Sequence, residues 1–198
     1  MYFLVGMKVK LTGYTPDPEK HIASAARVCY LSEAKTPDAD EKLIAHLINM
    51  GHESVLEHSC ATFDVSGVSR ALTHQLVRHR IASFSQQSQR YVDELGFEYV
   101  TPPSLEGEAR EVFMEAMEGA REKYERLRNL GVPKEDARFV LPNACETRIT
   151  VTMNFRELRH FIKLRSHKSA QWEIRELAQK MLDRLIVIAP KVFEDLRV

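Results

Sequence analysis

The sequence predicts an α+β chain in one domain, and three observations predict it. Residues 61–69 and 147–153 alternate from one side chain to the next with the period of a strand. Each is followed directly by a stretch with helical spacing. A length of 198 residues, with 44% hydrophobic and 28% charged, suits one core of ordinary size.

The elements follow in order. Residues 7–11 alternate weakly and form a short strand. Thr15-Pro16-Asp17-Pro18 stops it and opens a helix over 19–30, with Ile22, Ala25, Ala26 and Cys29 at helical spacing. Arg27 on that helix is as readily a solvated residue as a site residue. Thr36-Pro37-Asp38 starts a second helix, striped by Leu43, Ile44, Leu47 and Ile48, with Gly51 placed as its C-cap and His46 at the rim. The strand at 61–69 turns Phe63, Val65 and Gly67 to one face, which suits an antiparallel sheet covered on one side. Residues 70–78 form a helix packed by Leu72 and Leu76, and the Ser/Gln-rich run after Ala82 forms a loop. Residues 91–103 hold a short strand and a Pro-Pro turn. Residues 105–130 form a long charged helix with a solvated face, ended by Gly131-Val132-Pro133. A short helix spans 134–140. After the strand at 147–153, Asn154 and Glu157 make a capping-box pattern for a helix over 155–165, with Arg156, Arg159, His160 and Lys163 exposed. A last helix spans 170–188 and carries Trp172.

Composition excludes several classes. Formal net charge is +0, so bulk electrostatics draw the chain to neither nucleic acid nor membrane. Three cysteines, Cys29, Cys60 and Cys145, are widely spaced with no CxxC, against a disulfide framework or zinc knuckle and in keeping with a reducing cytoplasm. No apolar run approaches the ~20 residues of a membrane span. Met1 to Gly6 lacks a basic start and a cleavage site, so it is no signal peptide. Met7 offers an alternative start, which makes residues 1–6 a dispensable extension. His52 and His58 stand beside Glu53 and Glu57, but a His-x5-His spacing does not put both imidazoles on one helix face as zinc needs, and no metal is expected.

Chemistry concentrates in residues 78–90, Arg-His-Arg-Ile-Ala-Ser-Phe-Ser-Gln-Gln-Ser-Gln-Arg. Residues 65–92 contain no Asp or Glu but hold Arg70, Arg78, Arg80 and Arg90. Guanidinium forks without local carboxylates suit phosphate or carboxylate oxygens of a ligand. In a neutral chain, one concentrated basic segment fits a small anion better than a polyanion track.

The pattern Arg78-His79-Arg80-x-x-Ser83-x-x-x-x-Ser88-x-Arg90 resembles the signature of the flavin-dependent thymidylate synthases in full. The likeness extends over Gly51-His52-Glu53-Ser54 with Glu57-His58, residues 137–142, Leu164-Arg165 and residues 170–174. The resemblance implies an α+β homotetramer with flavin sites between subunits. It implies conversion of dUMP to dTMP with FAD as cofactor, methylenetetrahydrofolate as carbon donor and NADPH as reductant. No GxGxxG fingerprint is present, so the flavin site is not of the Rossmann kind.

The resemblance also implies roles residue by residue. Ser54, Arg78, His79, Arg80 and Gln86 contact FAD, joined by Asn154, Arg156 and His160 from another subunit. Gln75, Arg78, Gln86, Gln87, Ser88, Gln89, Arg90 and Arg138 bind dUMP. Arg165 also touches dUMP and is the catalytic residue, favouring ionisation of the uracil N3. Gln86 stands where some relatives carry Glu, His160 where some carry Asn, and Ser169 where some carry His. Ser88 has no carboxylate in its segment to complete a base pair of groups, so it reads as a binding donor and not as a nucleophile.

Overall fold

A computed structural model describes residues 6–197, so the extension expected at residues 1–6 lies almost wholly outside the described residues. Four strands, β1 (Lys8–Tyr14), β2 (Cys60–Ser69), β3 (Ala82–Gln86) and β4 (Glu146–Asn154), form one sheet in the order β1-β2-β4-β3. The pairing of β2 with β4 is antiparallel. Thr62 lies opposite Thr152 near one end, while the amide of Gly67 donates to Glu146 near the other. Burial along β4 alternates, with Thr147, Ile149, Val151 and Met153 inside, as a period of two requires.

Eight helices accompany the sheet in the described residues: α1 (Pro18–Val28), α2 (Ala39–Asn49), α3 (Arg70–Leu76), α4 (Gly107–Asn129), α5 (Lys134–Ala137), α6 (Phe155–Arg165), α7 (Trp172–Ile188) and α8 (Pro190–Phe193). The chain gathers into two compact units. One is built mainly from Val65–His74 and Ser85–Ile149, the other from Val9–Asp64, Gln75–Phe84 and Thr150–Val198. In the first, α4 turns Met117 and Tyr124 inward, and Phe97, Ala137 and Cys145 are buried too. In the second, α6 packs on α7, Leu158, Phe161, Ile162, Leu177 and Ala178 are buried, and Phe155 meets Phe193 edge-on at 5.1 Å. Fully burying one such phenylalanine contributes roughly 1.5–3 kcal/mol.

Several expectations hold at the level of local chemistry. Gly51 ends α2 at φ +70, and the His52 amide donates back to the Leu47 carbonyl at 2.8 Å, a left-handed C-cap that glycine adopts without steric cost. Asn154 caps α6, its side chain accepting from the Glu157 amide at 2.8 Å. Arg27 is structural, since its Nη2 donates to Asp40 at 2.8 Å and ties α1 to α2.

Other expectations are corrected. The Ser/Gln run is no loop over its first residues, because 82–86 form β3 beside β4, with Ser83 and Ser85 outward. Pairing to an open strand edge outweighs weak propensity there. Residues 91–103 form no strand and make one antiparallel bridge, Tyr99 to Cys145. Their carbonyls go elsewhere: Phe97 accepts from Arg121 at 2.9 Å and Tyr91 from Lys134 at 3.0 Å. The polar face of α4 is accordingly not merely solvated, since Arg121, Tyr124 and Arg128 organise that segment. The helix at 70–78 stops at Leu76. The last long helix begins at Trp172, two residues late, because Gln171 caps it by accepting from the Glu173 and Ile174 amides. Arg159 was expected on the surface and is 1% exposed, held by both carboxylate oxygens of Asp195 at 2.6 and 2.7 Å.

Candidate active site

In the second unit the chemistry centres on His79. It follows α3 in a tight turn, its amide donating to the Leu76 carbonyl at 3.1 Å. The turn buries the imidazole and leaves Arg78 and Arg80 exposed on either side. Arg165, at the end of α6, donates from Nε to His79 Nε2 at 3.1 Å. A guanidinium can only donate, so Nε2 must be the ring's lone-pair nitrogen and Nδ1 carries the proton. That proton is donated to Glu157 Oε1 at 2.9 Å. Burial pushes His79 below its ordinary value. The Glu157 bond opposes that shift, while the charge of Arg165 and the nearby His160 add to it. The neutral imidazole is the form that satisfies both partners.

Arg165 is fastened twice, because its Nη2 also donates to the Gln75 carbonyl at 3.3 Å. Two of its five N–H groups are thereby used, which leaves three for a ligand. Beside this chain lies a cavity of ≈ 380 Å3 lined by Glu53, Glu57, Ile81, Asn154, Arg156, Glu157 and His160. Two of its three carboxylates are paired with cations: Arg156 meets Glu57 at 2.5 Å, and Arg159 and Lys163 meet Glu53 at 3.4 and 3.3 Å. Arg78, Arg80 and Ser54 do not line it. Among the described residues neither Arg78 nor Arg80 sits in an ion pair, so two exposed guanidiniums of this unit are open to an external anion.

His79, Glu157 and His160 place ligand-type atoms within 4.8 Å of one another. Both nitrogens of His79 are already engaged, so the cluster reads as a hydrogen-bonded chain and not as a metal centre. His52 and His58 are exposed and take no part in it. A dinucleotide cofactor suits the donor set better, with guanidiniums for its phosphates and amide, imidazole and carboxylate groups at a cavity wall.

In the first unit, Gln86 Nε2 donates to the hydroxyls of Thr73 at 3.0 Å and Thr147 at 3.4 Å, a donation a carboxylate at this position could not make. Gln87 donates to Glu94 at 3.3 Å, and its carbonyl accepts from Arg70 at 3.5 Å. Ser88 Oγ accepts from the Arg90 amide at 3.2 Å, so its turn is self-supported. Gln89 lies half-buried in that turn. Arg90 reaches the Glu135 carboxylate at 3.4 Å, while Arg138 donates to the Glu135 carbonyl at 3.1 Å, so one residue of α5 draws both cations to itself. Burial, and then the charge of Arg138, hold Arg70 below its ordinary value. Burial raises Glu94 above its ordinary value, against the pull of Gln87 and Arg70. Two guanidiniums that repel each other mark a place where an anion is stabilised.

The expected residues therefore fall into two clusters. Gln75, Arg78, His79, Arg80, Asn154, Arg156, His160 and Arg165 lie in the second unit, and Gln86 to Arg90 with Arg138 in the first. Sequence reasoning missed Glu157 as a partner of His79, because the capping-box pattern assigned its side chain to the helix start. It also missed Arg70, Glu94 and Glu135 as supports, and only the missing carboxylates of residues 65–92 hinted at Arg70.

Comparison with known proteins agrees. A family model described as thymidylate synthase complementing protein matches residues 10–191. The chain belongs to the flavin-dependent thymidylate synthases. Its similarity to a flavin-dependent thymidylate synthase of Geobacter sulfurreducens is 51% identity, covering 96% of this chain and 86% of that protein. One of Clostridium tetani is 46% identical with the same coverages, and one of Sulfurisphaera tokodaii is 45% identical over 94% of this chain and 76% of that protein. The family's reaction is the reductive methylation of dUMP to dTMP with FAD as cofactor, and membership makes the chain an enzyme of that class. No helix among the described residues is long and apolar enough to cross a membrane.

Proposed function

We propose that this flavin-dependent thymidylate synthase takes its methylene from methylenetetrahydrofolate and its reducing equivalents from NADPH, as a cytoplasmic homotetramer with flavin sites between subunits. Ser54, Arg78, Arg80, Asn154, Arg156 and His160 of the second unit, together with Gln86, hold FAD, while His79, whose ring nitrogens are both engaged within the protein, serves that site through its backbone and the placing of Arg78 and Arg80. Bound FAD supplies the hydride chemistry; the protein supplies binding, orientation and charge. Gln86, Gln87, Ser88, Gln89, Arg90 and Arg138 hold dUMP, the guanidiniums taking its phosphate, and Gln75 and Arg78 complete the nucleotide set.

Arg165 performs the protein's main electrostatic task. Its free N–H groups face the uracil ring and stabilise negative charge as N3 loses its proton. That charge spreads to C5 and makes it more nucleophilic. A fixed cation needs no reorganisation as the charge develops, which is why such preorganisation is usually the largest catalytic contribution. The observation that supports this reading is the double fastening of Arg165, at His79 Nε2 and at the Gln75 carbonyl, with three donors spare.

The test is the absorption spectrum of the purified protein before and after dUMP addition, with sedimentation run on the same sample. Flavin bands that shift on dUMP addition, in a tetramer, are expected. Protein that stays colourless after incubation with FAD refutes the reading.

A further inference from the structure

The role proposed for Arg165 needs its guanidinium aimed at the nucleotide, and the structure points to a residue that aims it. Helix α6 carries Glu157, Phe161 and Arg165 at intervals of four residues, so the three share one stripe of the helix. The His79 imidazole lies along that stripe. Its Nδ1 is 2.9 Å from Glu157 Oε1, its ring meets Phe161 edge-on at 5.0 Å, and its Nε2 accepts from Arg165 at 3.1 Å. His160 stands beside it with ring centroids 5.7 Å apart.

Glu157 itself is held firmly. It is 8% exposed, and its amide is fixed by the Asn154 cap at 2.8 Å. In a capping box its carboxylate would return to the Asn154 amide. Here it reaches His79 instead, a bond formed at the cost of half the cap. A carboxylate can only accept, so it selects the Nδ1–H tautomer and leaves Nε2 with a lone pair. Without that acceptor the ring is free to place its proton on Nε2. Nε2–H would then face the Arg165 Nε–H, donor against donor, and Arg165 would swing away.

We propose that Glu157 is a positioning residue for the methylation of dUMP: by fixing the tautomer of His79 it keeps the Arg165 guanidinium aimed at the pyrimidine. This rests on the role given to Arg165 above. The carboxylate's work is done through His79, so it sets the rate of the chemical step and not nucleotide affinity.

The test uses the full-length protein with uniformly ¹⁵N-labelled histidine and arginine, and the variants Glu157→Ala and Glu157→Gln. In the wild type, His79 shows Nδ1 protonated and Nε2 bare, and the Arg165 Nε–H is protected from exchange. In Glu157→Ala the ring shifts toward Nε2–H and the Arg165 Nε–H exchanges about tenfold faster or more. Its kcat falls by roughly 10–100-fold, the scale of a misplaced catalytic group. KM for dUMP changes less than about threefold on this account, which assigns Glu157 no contact with the nucleotide. Glu157→Gln, whose amide oxygen still accepts from Nδ1–H, recovers most of the loss. A wild-type ring protonated on Nε2 overturns the proposal, and that measurement needs no variant to fold. An alanine variant with kcat within about twofold of wild type overturns it as well, since a 1.4 kcal/mol effect is tenfold. Should the protein make no dTMP under any condition, the functional reading fails, while the ring and exchange measurements still decide whether Glu157 positions Arg165.

Discussion

Replacing Arg159 with methionine tests whether the second unit depends on its most deeply buried charge. Arg159 is 1% exposed and donates to both oxygens of Asp195, to Glu53 and to the Val192 carbonyl. Removing one partner of a buried ion pair typically costs about 3–5 kcal/mol, because the other charge is left behind. Here the abandoned groups recover some hydration. The side chains of Asp195 and Glu53 are 47% and 26% exposed, and Glu53 keeps Lys163 at 3.3 Å. Methionine also fills most of the volume. The expected loss is therefore about 2–3 kcal/mol, below the full penalty. For a chain of this size that lowers Tm by about 4–12 °C.

The assay is urea unfolding at fixed protein concentration, since association shifts apparent stability. The midpoint should fall with the slope unchanged. A pH series adds a second signature. Burial alone would raise the Asp195 carboxyl, but the Arg159 hydrogen bond and charge outweigh it and hold the carboxyl below its ordinary value of 3.8. A depressed carboxylate adds stability above its unfolded value, and loses it as pH falls through the folded value. The wild type should show that acid loss at Asp195 and Arg159→Met should not. A stability change under about 0.5 kcal/mol, within the range of ordinary surface substitutions, would refute the reasoning.

Three further outcomes are expected. Arg138→Ala should raise KM for dUMP about 10–100-fold, the worth of a charged hydrogen bond to phosphate, with a smaller change in kcat; an unchanged KM would remove Arg138 from the nucleotide site. His79 is held below 6.5 by its burial, with Arg165 and His160 acting in the same sense and Glu157 against, so its neutral, Arg165-accepting form persists above 6.5 and is lost as pH falls through the lower folded value. The acid limb of kcat should thus lie below 6.5, and a limb centred at about 7 or above would contradict this. Burial, reinforced by Glu94, pushes the Cys145 thiol up to about 12, so a thiolate-selective reagent near neutral pH should label exposed Cys29 and Cys60 and reach Cys145 only after denaturation.

Much of the candidate site stands out in the sequence because its residue types are unusual where they stand. Residues 65–92 lack carboxylates, and that absence sets Arg78, Arg80 and Arg90 apart in the sequence itself. The strands at 61–69 and 147–153 were legible for a different reason: each buries one face, and burying one face imposes a period of two. The capping residues Gly51 and Asn154 act on their own turns, so local sequence carried them too. The failures share a cause. Arg159 reads as one more cation on a polar helix face, and only the arrival of Asp195, 36 residues later in the chain, made a buried place for it. Residues 82–86 carry little strand propensity, and the edge of β4 supplied what they lack.

By itself, then, the amino-acid order determined the family, the periodic elements and the inventory of cations. Those depend on neighbours within a turn or on the types present. Tertiary structure alone decided which charges are paired and which are free. Ion pairing falls off steeply with distance and depends on burial, and both are set by segments that meet only in the fold. Glu157 shows the difference most clearly. Its sequence position fits a helix cap, yet in the folded chain it holds the proton of His79, and through that ring it reaches Arg165.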